Sequence, residues 1–234
     1  MAEVITASRA KLVGAVVGPR QMFAARPALP VEILIVAGWI AALALTPRSM
    51  AAMAPSMGIG LWVAMVAATM LPSALPVVYH VAANSLRRRR NRAVLLFAGA
   101  YLAMWAAFGA IALAVLPHGA SRVVLVVMLL AAAGWQLTPW HRRALRGCHR
   151  TSPLPAAGWR ADAAAVRFGA SNGGYCLGAS WCLMIVMCVA PGPPMLWATA
   201  IGAGVFVQKT TEAPAHVARL GALALLVVAL FAAI

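Results

Sequence analysis

Apolar residues recur along the chain in long runs at about 31–47, 58–82, 93–116, 121–138, 171–190, 194–209 and 215–234. A helix needs about 20 apolar residues to cross the hydrocarbon of a bilayer, within a range of about 17–25. The pattern predicts an all-α membrane protein: a polytopic helical bundle of about seven transmembrane helices. The sixth run is the shortest and carries Gly202 and Gly204. Ahead of the first run, Arg9, Lys11, Arg20 and Arg26 mark a basic cytoplasmic segment over 1–30. No signal-peptide pattern is evident there. The rest, 31–234, reads as a single transmembrane domain with a basic cytoplasmic loop at 139–170.

Composition excludes other classes. The 234 residues are 64% hydrophobic and 10% charged, with a mean hydropathy of +0.89. Soluble domains carry about 25% charged residues, so a cytosolic globular protein, a disordered chain and a disulfide-rich module are all disfavoured. The four cysteines, Cys148, Cys176, Cys182 and Cys188, lack disulfide-framework spacing.

Net charge is +15, which in a soluble chain would suggest nucleic acid. Here it follows topology. With a cytoplasmic N-terminus and seven spans, every Lys and Arg except Arg48 and Arg122 falls in a cytoplasmic segment, including Lys209 and Arg219. The positive-inside rule is met in each loop. The expectation is therefore N-terminus in, C-terminus out, multi-pass in a bacterial cytoplasmic (inner) membrane, with the lipid bilayer as partner and no nucleic acid. Trp140 and Trp159 bracket the basic loop at headgroup level. Residues 140–150 read either as a segment lying on anionic lipid or as a solvated loop that only sets topology.

No carboxylate lies inside an apolar run apart from Glu32 at the entrance of the first, which disfavours a proton relay through acids. Ser73 and Ser180 have no carboxylate nearby in sequence, and no P-loop, nucleophile elbow or His-Glu-x-x-His occurs. The expectation is that the chain is not an enzyme.

Sulfur is the remaining chemistry. The second run, Trp62 to His80, contains Met65, Met70, Pro72, Ser73 and Pro76. Its two prolines remove helix donors and predict a kink at mid-membrane. The fifth run holds Cys176, Cys182, Met184, Met187 and Cys188. Thiolate and thioether ligands select soft Cu(I) over hard cations. The candidate metal ligands are thus Cys176, Cys182, Met184 and Cys188, with Met65 and Met70 from a second helix packed against the fifth. The alternatives at these positions are methionine as core filler and helix packing through Gly174, Gly178 and Ser180. His141, Cys148 and His149 form a weaker group, short of a closed zinc set.

Three ordered patches carry a family resemblance: Trp62-x-x-Met65 to Met70-Leu71-Pro72-Ser73-x-x-Pro76; Gly134-Trp135-Gln136-Leu137-Thr138-Pro139 with Arg142 and Cys148; and Gly174-Tyr175-Cys176-Leu177-Gly178 with Trp181-x-Leu183-Met184, ending near Lys209. Over about 58–212 the chain resembles bacterial predicted metal-binding integral membrane proteins, whose role is not established. That family has a richer Met run where Val66 and Thr69 stand here, and an earlier Cys where Ala144 stands. It has paired Cys at the positions of Ala179 and Ser180, and an acid at that of Gln208. The resemblance implies either a rebuilt site or a member that has kept the fold and lost the metal. The functional expectation is a copper-handling membrane protein that stores metal or delivers it to a membrane metalloenzyme. The alternative is a non-catalytic accessory subunit of a larger membrane complex.

Overall fold

The computed structural model describes residues 26–46, 55–115, 121–155, 157–211 and 213–234. The basic segment before residue 26, Arg48 and the turn around His118 lie outside them. Among the described residues the chain forms nine α-helices and no strand. These are α1 (Leu29–Leu45), α2 (Pro55–Thr69), α3 (Leu75–Ala83), α4 (Arg90–Val115), α5 (Arg122–Leu137), α6 (Pro139–Cys148), α7 (Trp159–Val189), α8 (Pro194–Thr210) and α9 (Pro214–Ala233). A 3-10 turn, Leu71–Ala74, joins α2 to α3.

All seven apolar runs are helical. Three helices, α4, α7 and α9, are long and apolar enough to cross a membrane; five spans result if each of two bent pairs counts as one. The α1 helix, at 17 residues, is apolar but shorter. Outward-facing side chains fit a lipid solvent. Ile33, Val36, Ile40 and Leu43 on α1 are exposed, as are Leu220, Leu223, Leu230 and Phe231 on α9. Contiguous exposed apolar faces mark membrane or protein interaction surfaces.

The predicted kink is present: the second run bends by 68° between its halves. Pro72 and Pro76 withhold backbone donors. Hydroxyls take up carbonyls at the break, Thr69 Oγ1 donating to Met65 O and Ser73 Oγ to Met70 O, each at 2.7 Å.

The segment expected as a loop over 139–170 is mostly helical. After Leu137 the chain turns by 69° into α6. Thr138 caps that helix, its hydroxyl accepting from the His141 N–H at 3.2 Å. His141, Leu145 and Cys148, spaced i, i+4, i+7, are buried, and Arg142, Arg143 and Arg146 face outward. The α6 helix is therefore amphipathic and rests on α7. The fifth run also begins earlier than its apolarity indicates. Gly158, at φ 81°, starts α7, and Trp159 is its first residue. Arg160, Asp162 and Arg167 interrupt the first turns, so that no continuous apolar run begins there.

The α4 helix lies at the centre, packed chiefly on α7 and also on α2 and α3; α5 packs on α9, and α1 on α2. Gly169 and Gly173 let α7 approach α4. A Cβ on Gly169 would strike the Phe97 carbonyl, and one on Gly173 would come within 3.1 Å of the Tyr101 carbonyl oxygen. This small-xxx-small pair closes the contact with α4; of the alternative packing residues Gly174, Gly178 and Ser180, Gly178 packs on Ala144 of α6. The α4 contact also corrects the expected pairing of the second and fifth runs. The main neighbour of α7 is α4, so the two runs converge only near the break after α2.

One end of the bundle is cross-linked by polar contacts. Tyr79 donates to Glu32 at 3.2 Å. A ring nitrogen of His80 lies 3.2 Å from the Ser152 carbonyl, and Arg89 and Arg92 both pair with Asp162. These contacts bring the start of α1, the Arg-rich turn before α4 and the start of α7 to the same end.

Candidate metal centre

The interior contains a polar zone where four segments meet: the break after α2, the middle of α4, the centre of α7 and the end of α8. Cys176 is fully buried there. The Tyr101 hydroxyl donates to its Sγ at 2.9 Å, and Lys209 Nζ donates to the same sulfur at 3.0 Å. Lys209 also donates to Ser73 Oγ at 3.0 Å, and the Ser73 hydroxyl in turn donates to Met70 O. An aromatic row, Phe168–Phe97–Tyr101, leads to the sulfur, with centroids 5.5 and 6.5 Å apart.

The local sequence explains the positions. Gly173 brings the α4 backbone in at Tyr101, and Cys176 lies one turn further along the same face of α7. The proline break turns Ser73 and the Met70 carbonyl inward. Lys209 stands in the last turn of α8; about two turns earlier Gly202 packs against Thr69 and holds α8 on the break.

Cys148 joins from α6, where its side chain is buried, 5% exposed. Asn172 fixes that helix end by donating to the Cys148 carbonyl at 3.0 Å, and the Tyr175 ring covers Gly147. Beside this group Gln208 donates to Gln136 at 2.6 Å. His141 is fully buried nearby, with neither ring nitrogen hydrogen-bonded.

The six candidate ligands do not form one sphere. Met65, Met70, Cys176 and Met184 are buried to within 1% exposure; Cys182 is 6% exposed and Cys188 is intermediate. On a single helix, Cys182, Met184 and Cys188 lie about 9, 12 and 18 Å along the axis from Cys176. Metal–thiolate bonds of about 2.3 Å cannot bridge the longer separations. Of the six, the structure brings Cys176 and the Met70 backbone together and leaves Cys182 and Cys188 further along α7. Among the described residues no three His, Cys, Asp or Glu side chains gather in a metal-holding group.

Sequence reasoning missed three contributors. Lys209 was read as a cytoplasmic loop charge, whereas it is only 6% exposed; a lysine ending an apolar run is the signal that identifies it. Cys148 belongs to the weaker group of the sequence, within the segment expected as a loop over 139–170. Tyr101 sits in an ordinary apolar run, and nothing in its local sequence marks it.

This arrangement defines an all-helical, apolar bundle whose polar interior converges on buried thiols beside an ammonium. Residues 59–232 match the model of the PpoB2 family, described as a copper chaperone. The match spans most of the chain, which therefore belongs to that family. No curated protein and no solved structure matches the chain. The positions where the resemblance placed further donors are now located. Ala144 lies against Gly178, and Ser180 bonds back to the Cys176 carbonyl at 2.9 Å. Gln208 is held by Gln136.

Proposed function

We propose that the chain handles copper(I) inside a bacterial cytoplasmic membrane, holding it as cargo and passing it to a membrane metalloenzyme. The carrying observation is the buried Cys176 Sγ with two donors aimed at it, Tyr101 Oη and Lys209 Nζ. Cu(I) binds thiolate, and binding releases the thiol proton. Two thiolates, from Cys176 and Cys148, with one Cu(I) carry net charge −1, which the Lys209 ammonium neutralises. That balance matters because an uncompensated charge in hydrocarbon is costly. Met65 of α2 and Met184 and Met187 of α7 are further soft donors buried in the bundle interior. The topology that fits is seven crossings, N-terminus in and C-terminus out, with the basic end at the cytoplasm.

The test is elemental analysis of protein produced with excess copper and purified in mild detergent, partners retained. About one copper per chain, lost in Cys176→Ser, supports the reading; no copper in the unaltered protein overturns it. A second reading, an accessory subunit of a larger membrane complex, is favoured by the absence of three-residue His/Cys/acid groups among the described residues. It predicts partners without stoichiometric metal.

A further inference from the structure

A cavity of about 740 Å³ opens at the polar end of the bundle, between the start of α7 and the linker that follows α6. Its wall includes Arg150, Arg160 and Arg167, the hydroxyl residues Thr151, Ser152 and Ser171, and no carboxylate. The one acid on the adjoining turn, Asp162, is engaged by Arg89 and Arg92. No carboxylate among the described residues pairs with the three cavity arginines. The first turns of α7, through Trp159, Arg160, Ala163 and Ala164, form one side, so the positive end of a 31-residue helix adds to the field. Trp159 is exposed at the rim, where an indole suits the membrane–water boundary.

We propose that this cavity binds a phosphate-bearing anion. Three guanidinium groups offer paired N–H donors matched to phosphate oxygens, with hydroxyls to complete the shell. Basic pockets between helices at the cytoplasmic face take anionic headgroups, and the same chemistry accepts a soluble phosphate. The occupant lies over the Tyr175–Gly147 contact, one residue along the chain from both Cys176 and Cys148. The inference rests on the cavity alone and stands whether or not copper is bound.

The experiment is native mass spectrometry of the full chain in detergent. It is titrated with dioleoyl phosphatidylglycerol, with phosphate-free dioleoylglycerol, or with inorganic pyrophosphate. Two variants accompany it: Arg150→Gln/Arg160→Gln/Arg167→Gln, and a charge-matched control, Arg87→Gln/Arg88→Gln/Arg219→Gln, at exposed sites. Arg167→Gln alone serves if the triple variant does not fold. Saturable binding of either phosphate ligand, weakened at least tenfold by the cavity substitutions (at least threefold by Arg167→Gln alone) and under twofold by the control, supports the site. Preference for phosphatidylglycerol identifies a lipid headgroup, and preference for pyrophosphate a soluble ligand. Equal weakening by both triple variants, equal binding of dioleoylglycerol, or no binding of either phosphate ligand overturns it.

Discussion

Lys209 Nζ lies 3.0 Å from Cys176 Sγ, although the two residues stand on different helices and read separately as a loop charge and a soft ligand. A buried ammonium needs acceptors, and here it has two, Cys176 Sγ and Ser73 Oγ. The same contact gives a buried thiol a cationic neighbour, so sulfur chemistry and lysine placement depend on each other.

Substitutions at the four cysteines should separate their roles. Cys176→Ser keeps an acceptor for Lys209 and Tyr101 while removing the soft ligand, so the protein should fold and lose bound copper. Cys148→Ser should lower copper retention at least tenfold. Cys182→Ser and Cys188→Ser, further along α7, should leave it within twofold. Copper-to-protein ratios after desalting measure this; a larger loss at Cys188 than at Cys148 would move the centre along the helix.

Stability should respond asymmetrically to the two partners. Cys176→Ala removes one of the two hydrogen-bond acceptors of the Lys209 ammonium and should cost about 1.5–3 kcal/mol, as losing a hydrogen bond to a buried charged group does. Lys209→Met leaves a neutral thiol that still accepts from Tyr101, and should cost under about 1.5 kcal/mol. Thermal unfolding in detergent compares the two variants. The reverse order would mean that lysine, and not sulfur, anchors the contact.

The α4–α7 approach predicts a contrast among glycines. Gly169→Ala places a methyl against the Phe97 carbonyl, which cannot move without shifting a helix. The cost should be about 1–3 kcal/mol, with disturbance of the Tyr101–Cys176 contact. Gly99→Ala and Gly204→Ala meet nothing within 4 Å and should be neutral or stabilising by up to about 1 kcal/mol. Melting temperatures of the three variants decide the matter.

Topology is open to direct measurement. Reporter fusions after residues 90, 150 and 212 should all report cytoplasm. The contacts Glu32–Tyr79, Asp162–Arg89 and His80–Ser152 put the first two fusion sites near one end of the bundle. An external signal at residue 150 would invert the basic end and count against the seven-span arrangement.

What the sequence determined by itself was local. Apolar runs define helices because every backbone group in hydrocarbon must be satisfied within its own segment, and all seven runs are helical. Pro72 and Pro76 dictate a break because they lack donors, whatever surrounds them. Cys176 is legible as a candidate soft ligand from its chemistry alone. The tertiary structure decided which faces meet. Periodicity along α7 gives directions around one axis, and it cannot say that Gly169 and Gly173 admit α4 and so bring Tyr101 to Cys176. Nor can it say that α8 ends with Lys209 turned inward to a residue 33 positions away. Basic residues near a span end read alike in sequence; burial distinguishes Lys209 from the arginines that face water. The start of α7, interrupted by Arg160, Asp162 and Arg167, and the amphipathic α6 lacked a continuous apolar run of their own, and became visible only where packing on a neighbour supplied the missing face.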